Sequence, residues 1–330
     1  MIKQCFLQLV SGLLVMLSVT AYSQNESKDQ ATFNVNKELG RGVNIPSIQN
    51  MNAQHYFTIK EAGFNNVRIP IHPFKQTIND SSFVLKPVFF EMLDSAVYRS
   101  LAANLIPIID FHEHNAMQKS PMGTKPMFLN MWQQLAEHYK NFPSKVLFEI
   151  ANEPNMKPEI WNQIHSEAYT IIRKSNPNRT LLIGSIYGNQ IKYLKDLTLP
   201  EADRNIIVTI HYYSPIEFTH QGAEWSVKNK NLHDIPWPGS YGGEDDIVKD
   251  FQIAQEWSDT NKRPLHLGEF GVYHKIEMNV RIAWTAFVAR QAEKNNWSWS
   301  FWELNQGFGI YDLATNQWKQ GLYEALIPKK

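Results

Sequence analysis

The feature that most constrains the fold is an alternation. Eight short apolar runs, Gly42–Ile45, Asn66–Ile71, Leu105–Phe111, Val146–Ala151, Thr180–Gly184, Ile206–Tyr212, Pro264–Phe270 and Trp297–Trp302, are separated by segments of helical period. The runs are nearly continuous in apolar residues, as parallel strands covered on both faces are. The spacing predicts helices over Gln54–Ala62, Pro87–Ala103, Pro126–Asn141, Pro158–Ser175, Gln190–Leu197, Glu244–Thr260 and Met278–Asn295, and a last short one near Gln317–Leu326. Pro87, Pro126 and Pro158 fall where a first helical turn tolerates proline. Eight strand–helix pairs in about 300 residues predict an α/β fold, a single-domain (β/α)8 TIM barrel. A doubly wound open sheet is the alternative. It wants a glycine-rich phosphate turn after its first strand, whereas the glycines of GRGVNIP stand at the strand's start.

The chain of 330 residues carries 32 basic and 32 acidic side chains, a balance that argues against a nucleic-acid surface. Residues 1–23 read as a secretory signal. Lys3 supplies the positive end, Leu9 to Val19 the apolar stretch, and Ala21-Tyr22-Ser23 the small-x-small cleavage pattern. The stretch is too short for a stable membrane span. Residues 24–34 read as a flexible leader and 35–330 as the barrel domain. The one cysteine, Cys5, lies inside the signal, so the exported chain carries no disulfide; a core of this size needs none. The expectation is a secreted or periplasmic monomer, free of the membrane once the signal is removed, with no cofactor and no metal.

Active sites of such barrels lie at the carboxyl ends of the strands. Reading those ends gives Asn44, Arg68 with His72 beyond it, Asp110, His112, Glu113 and His114, Asn152 and Glu153, His211 and Tyr213, Glu269, and Trp302 with Glu303. Two apolar strands, VLFEIANEP and LHLGEFG, each deliver a carboxylic acid at the end, Glu153 on the fourth and Glu269 on the seventh. A pair of carboxylates facing each other across a sugar is what glycoside hydrolysis needs. One donates a proton to the departing oxygen, the other attacks the anomeric carbon or activates water. Arg68 is placed to keep one of them ionised, while burial and its partner's charge keep the other protonated. Glu113, Glu149 and Glu303 are competing carboxylates. Glu149 shares the parity of Glu153 but lies deeper, and reads as a structural ion pair.

With these residues in hand, the chain resembles glycoside hydrolase family 5, the cellulase family, over roughly residues 40 to 325. Ile150-Ala151-Asn152-Glu153-Pro154 is similar to the family's strand-4 signature, which implies that Glu153 is the general acid/base. Gly268-Glu269-Phe270-Gly271 is similar to its strand-7 segment, which implies that Glu269 is the nucleophile. Asn44, Arg68, His112, Asn152, His211, Tyr213 and Trp302 are similarly assigned to the substrate site. HYYSPIEFTHQGAEW, residues 211 to 225, resembles a subgroup of bacterial endo-β-1,4-glucanases, some of which accept mannans; this implies that His220 and Trp225 line the cleft. The expected roles follow from chemistry: Asn152 bonds the sugar 2-hydroxyl, Tyr213 donates to the nucleophile, His112 and His211 fix hydroxyls, and Trp302 offers a floor for an apolar sugar face. Trp225, Trp237, Tyr241 and Trp302 are expected along an open groove. Two departures fall near the cleft: Ser47 stands where some relatives carry Glu, and His112-Glu113 replaces a His-His pair.

The expected partner is a β-1,4-linked polysaccharide, whether cellulose, mixed-linkage glucan, xyloglucan, glucomannan or mannan. A β-mannanase, or an enzyme with mixed glucan and mannan activity, is the alternative within the family. Two rivals belong to other classes. His112-Glu113-His114 has the HxH spacing of a metal-dependent hydrolase, and a barrel could bind glycans without cleaving them.

Overall fold

The computed structural model describes residues 30–79 and 83–329. Eight parallel strands close into a barrel in sequence order: β1 (Arg41–Asn44), β2 (Asn66–Ile71), β3 (Ile106–Phe111), β4 (Leu147–Glu149), β5 (Leu181–Gly184), β6 (Ile206–Tyr212), β7 (Leu265–Phe270) and β8 (Ser298–Phe301). β1 pairs with both β2 and β8, so no edge is left open. The outer ring shows why the helical segments fold as they do. Helix Pro158–Ser175 starts at a proline and buries Trp161, Ile164, His165, Ala168 and Ile172, one stripe at spacings of three and four. Trp161 Nε1 then donates to the Gly184 carbonyl at 2.9 Å, tying the helix to β5.

Some predicted boundaries move. The helix expected to begin at Pro126 begins at Pro121 and runs to Tyr139, with Pro126 inside it. Pro126 and Met122 are both exposed, so the carbonyl that loses its partner faces water. The expected Gln190–Leu197 helix is a 3-10 helix, Ile191–Asp196. The last segment divides: Gln317–Trp318 pairs antiparallel with Tyr311–Asp312, and the helix is Gln320–Leu326. The leader expected to extend to residue 34 gives way earlier, because residues 30–39 are helical. The Thr32 hydroxyl donates to the Arg204 carbonyl at 2.8 Å. The proposed signal, residues 1–23, lies outside the described residues. Among the described residues no helix is long and apolar enough to cross a membrane.

The barrel interior is layered. At the amino end of the strands, Ile106, Ile108, Leu147, Leu182 and Ile207 form a small apolar cluster capped by Leu39 and Val35 of the 30–39 helix. A crevice of about 690 Å³ opens beside that cap, at the end of the barrel away from Glu153 and Glu269. In the middle, His266 contacts the hydroxyls of Ser298 (2.7 Å) and Ser300 (3.1 Å), and Ser300 donates to Asn66 Oδ1. Burial pushes the His266 imidazole down to about 3, so this layer is neutral. The ionic layer lies above it, at the carboxyl ends.

Candidate active site

Arg68 organises the charged layer. It is fully buried, and each of its five N–H groups finds an acceptor. Nε and Nη2 hold Glu149 at 2.7 and 2.9 Å, Nη1 reaches Asn44 Oδ1 at 2.9 Å and Glu269 Oε1 at 2.6 Å, and Nη2 reaches Asn152 Oδ1 at 2.8 Å. Asp110 lies 3.0 Å from Nη2. Burial opposes the charge on Arg68, but Asp110, Glu149 and Glu269 outweigh it and raise the guanidinium well above its ordinary value. Glu149 is therefore the structural ion pair expected of it, and burial raises its carboxyl despite Arg68. Asp110 is pushed up to about 6 by burial, with Arg68 opposing.

Strand alternation alone does not aim the two candidate glutamates. On β7, His266 faces the barrel interior, so strict alternation would send residue 269 outward. The β6–β7 register shifts between Ile210 and His211, pairing His211 directly with Glu269 and leaving Gly268 as an extra residue. This bulge turns Glu269 inward. Gly268 has to be glycine, since a Cβ there would stand 2.5 Å from Thr209 Oγ1 and 3.1 Å from His211 Nε2. Beyond β4, neighbours Asn152 and Glu153 both reach the site. An extended chain would point them to opposite faces; the left-handed backbone of Glu153 (φ 44°) breaks the extension. Such a conformation in a residue with a side chain is strained and gathers at functional sites.

One oxygen of Glu153, one of Glu269 and a ring nitrogen of His211 lie within 4.8 Å of one another. Glu269 is held on both oxygens, by Arg68 on Oε1 and by the Tyr213 hydroxyl on Oε2 at 3.0 Å. Burial first, then Glu269 and Glu153, raise the Tyr213 phenol well above its usual value, so it stays a donor. His211 Nδ1 lies 2.9 Å from Glu153 Oε1 and 3.6 Å from Glu269 Oε2. Burial disfavours the imidazolium, whereas Glu269 and Glu153 favour it and tip the balance upward. The three groups are linked by one hydrogen bond, between His211 and Glu153, and by the longer contact of His211 with Glu269.

The remaining expected residues divide. His112 Nδ1 meets Asp110 Oδ2 at 2.6 Å, its Nε2 lies 3.3 Å from Asn152 Nδ2, and its ring stacks with Trp302 at 5.6 Å. Trp302 is half-buried at the mouth. His220 packs edge-on against Tyr213 and Phe308, and burial pushes it down to about 4. Trp225 is 60% exposed, propped edge-on by Tyr273 at 4.8 Å, so it is a surface ring rather than core. Asn44 is a correction. It is fully buried, its Nδ2 donates to the carbonyls of Gly268 and Ser300, both at 3.0 Å, and its Oδ1 is taken by Arg68. It braces β1 to β7 and β8 and has no atom left for a sugar. Arg68 is likewise fully buried with its N–H groups spent on Glu149, Asn44, Asn152 and Glu269, which agrees with the expectation that it sits beside a carboxylate. Trp237 is also corrected: only 8% exposed, it packs on Phe218 and Phe287 and donates to the Gly242 carbonyl. His211 bridges the two glutamates instead of facing only the ring hydroxyls.

The other two competing carboxylates, Glu113 and Glu303, are loop anchors. Glu113 accepts from the Phe74 N–H at 2.8 Å, and burial raises it to about 7. Glu303 accepts from the N–H groups of residues 305, 306 and 308, and burial raises it to about 7. Ser47 accepts from Gln306 Nε2 at 2.7 Å, tying the β1 loop to the β8 loop. Of the HxH string, His112 sits on Asp110 and Glu113 on Phe74; the side chain of His114 lies outside what the structure describes. Sequence reasoning missed Asn189, whose Nδ2 lies 3.2 Å from His211 Nε2. Its only signal was Gly188-Asn189, which marks a turn and says nothing of chemistry.

Comparison with known proteins places this geometry. The sequence profile of the cellulase family, glycosyl hydrolase family 5, matches residues 28–307. Endoglucanase H of Acetivibrio thermocellus is 29% identical over 89% of this chain, which spans 33% of that protein's length. For endoglucanase 3 of Fibrobacter succinogenes the identity is 25% and the span 53%. Endoglucanase C of A. thermocellus is 26% identical, and the chain spans 90% of it. Among solved structures, the Cel5A endoglucanase of Thermotoga maritima in complex with cellobiose superposes with a TM-score of 0.85 at 38% identity, covering 89% of this chain and 99% of that one. Arg68 and Tyr213 clamping one glutamate, a second glutamate across His211, and a profile match over most of the chain lead to one conclusion: the protein belongs to glycosyl hydrolase family 5 and is a glycoside hydrolase.

Proposed function

We propose that the protein is a secreted, retaining endo-β-1,4-glucanase with Glu269 as nucleophile and Glu153 as general acid/base. The observation that carries this is the separation of the two carboxylates, with an oxygen of each within 4.8 Å. Retaining enzymes keep their carboxyl groups about 5–5.5 Å apart, too close for a water to stand between acid and sugar. Glu269, fixed on both oxygens, attacks the anomeric carbon as Glu153 protonates the departing glycosidic oxygen. Glu153 then takes a proton from water, whose oxygen displaces Glu269 and restores the β configuration. The charge-assisted bond from Arg68 and the phenol of Tyr213 aim the attacking carboxylate. Asn152, held by Arg68 and His112, presents its amide beside the reacting ring. Trp302 and His112 form one aromatic wall, and His220, Phe308 and Trp225 form another; a groove walled on both sides of the glutamates suits internal cleavage.

The family resemblance to Cel5A of T. maritima, solved with cellobiose and with mannotriose, supports a second reading, acceptance of mannan as well as glucan. Residues 1–23 are proposed as the export signal. The test is a panel of soluble β-1,4 polysaccharides. Viscosity should fall well before reducing ends accumulate, and EDTA should leave the rate unchanged. Parallel changes from the outset would mean attack from chain ends, and loss of activity in EDTA would favour the metal-dependent rival.

A further inference from the structure

Asn189 belongs to none of the roles above, yet the chain goes to unusual lengths to seat it. After β5, Tyr187, Gly188 and Asn189 all adopt left-handed backbone (φ 52°, 83° and 53°). Two of the three carry side chains, and each such residue is strained. The turn is locked to the Glu153 segment: the Tyr187 N–H donates to the Pro154 carbonyl at 2.7 Å, and a Cβ on Gly188 would stand 3.9 Å from Glu153 Oε1. Its product is a fully buried amide whose Nδ2 faces His211 Nε2 at 3.2 Å. Gly184 makes room for it, since a Cβ there would lie 2.1 Å from Asn189 Oδ1.

The orientation of the amide has consequences for His211. Oδ1 is buried against Gly184 without a hydrogen-bond partner. Turning the amide over would place two N–H groups in that spot, and a buried orphan donor is rarer than an orphan carbonyl oxygen. Nδ2 therefore donates, Nε2 accepts, and the ring proton sits on Nδ1, facing Glu153. We propose that Asn189 is a positioning residue for the acid/base glutamate, holding His211 as the neutral Nδ1–H tautomer so that it donates to Glu153 without placing a positive charge beside it. This rests on the reading of Glu153 as acid/base. The logic is that an imidazolium 2.9 Å from Oε1 would favour the carboxylate over the acid and strip Glu153 of the proton it must give. Groups facing His211 and Glu153 pull both ways: Arg68 from β2, Asp110 from β3, Glu149 from β4, Tyr213 and His220 beyond β6, and His266 and Glu269 from β7. Glu269 and Glu153 draw His211 toward protonation, and a donor aimed at Nε2 works against them.

Asn189→Asp and Asn189→Gly test this, both compatible with a left-handed backbone. Asp accepts from a protonated Nε2 and stabilises the imidazolium. The alkaline limb of kcat/KM on a soluble β-glucan should move down by about one pH unit in Asn189→Asp and less in Asn189→Gly. In the free enzyme, ¹⁵N-histidine spectra at neutral pH should show wild-type His211 with an unprotonated Nε2, and Asn189→Asp with both nitrogens protonated. Unmoved pH profiles with only a change in Tm would make Asn189 merely structural. A doubly protonated His211 in the wild type would overturn the proposal even where a variant fails to fold. The spectra need no substrate, so an enzyme inert on every β-1,4-glucan would defeat the functional reading and leave this one separately decided.

Discussion

Trp302 lies just beyond β8, half-buried, with one side along His112. Loss of a stacking floor costs about 1–3 kcal/mol in comparable aromatic contacts. Trp302→Ala should therefore lower kcat/KM by about tenfold to a hundredfold while the melting temperature stays near that of the wild type; a large drop in Tm with near-normal turnover would make it a core residue. At this scale the residues that the structure gathers around Glu153 and Glu269 were mostly legible as strand ends, because apolar runs that stop at polar residues expose their ends in the sequence. Depth and direction were less visible. Nothing in the sequence reveals that the polar atoms of Asn44 and Arg68 are consumed inside the barrel. The inward aim of Glu269 depends on the extra residue Gly268. Asn189 was invisible because its role arises from three left-handed residues and a glycine on the preceding strand.

Among the elements, the loop after β8 is organised by Glu303, which gathers three backbone N–H groups at the cost of a buried carboxylate. Burial raises its carboxyl from 4.5 to about 7, with those N–H groups opposing. Between these values the folded protein holds a proton that the unfolded chain has released, so this residue's contribution to stability falls as pH rises. Glu303→Gln removes that slope. The Tm of Glu303→Gln relative to wild type should rise as pH goes from 4.5 to about 7; a pH-independent difference would show that the carboxyl does not titrate there. The helix over residues 30–39 shows why an element was missed. Its inward positions, Thr32, Val35, Asn36 and Leu39, have helical spacing, but two are polar, so the stripe did not stand out. Leu39 is fully buried on the barrel floor. Leu39→Ala should cost about 2–5 kcal/mol in unfolding free energy and leave turnover on β-glucan unchanged at low temperature. A cost near zero would mean the helix does not cap the barrel.

For the whole molecule, the layered interior separates stability from chemistry: an apolar floor, a neutral polar middle around His266, and an ionic top centred on Arg68. The closed barrel was legible because eight near-continuous apolar runs leave few alternatives, whereas the short hairpin of Tyr311–Asp312 with Gln317–Trp318 lacks such a period. If residues 1–23 are an export signal, the exported protein should begin at Gln24; an exported chain that keeps Met1 would contradict this. The central claim is that Glu269 attacks and Glu153 gives and takes the proton across a gap too short for an interposed water. It is tested most directly by ¹H NMR of the anomeric protons during the first minutes of hydrolysis of a soluble β-1,4-gluco-oligosaccharide. The account predicts that the newly released reducing end appears first as the β anomer and then mutarotates; an α anomer as the first product would contradict it.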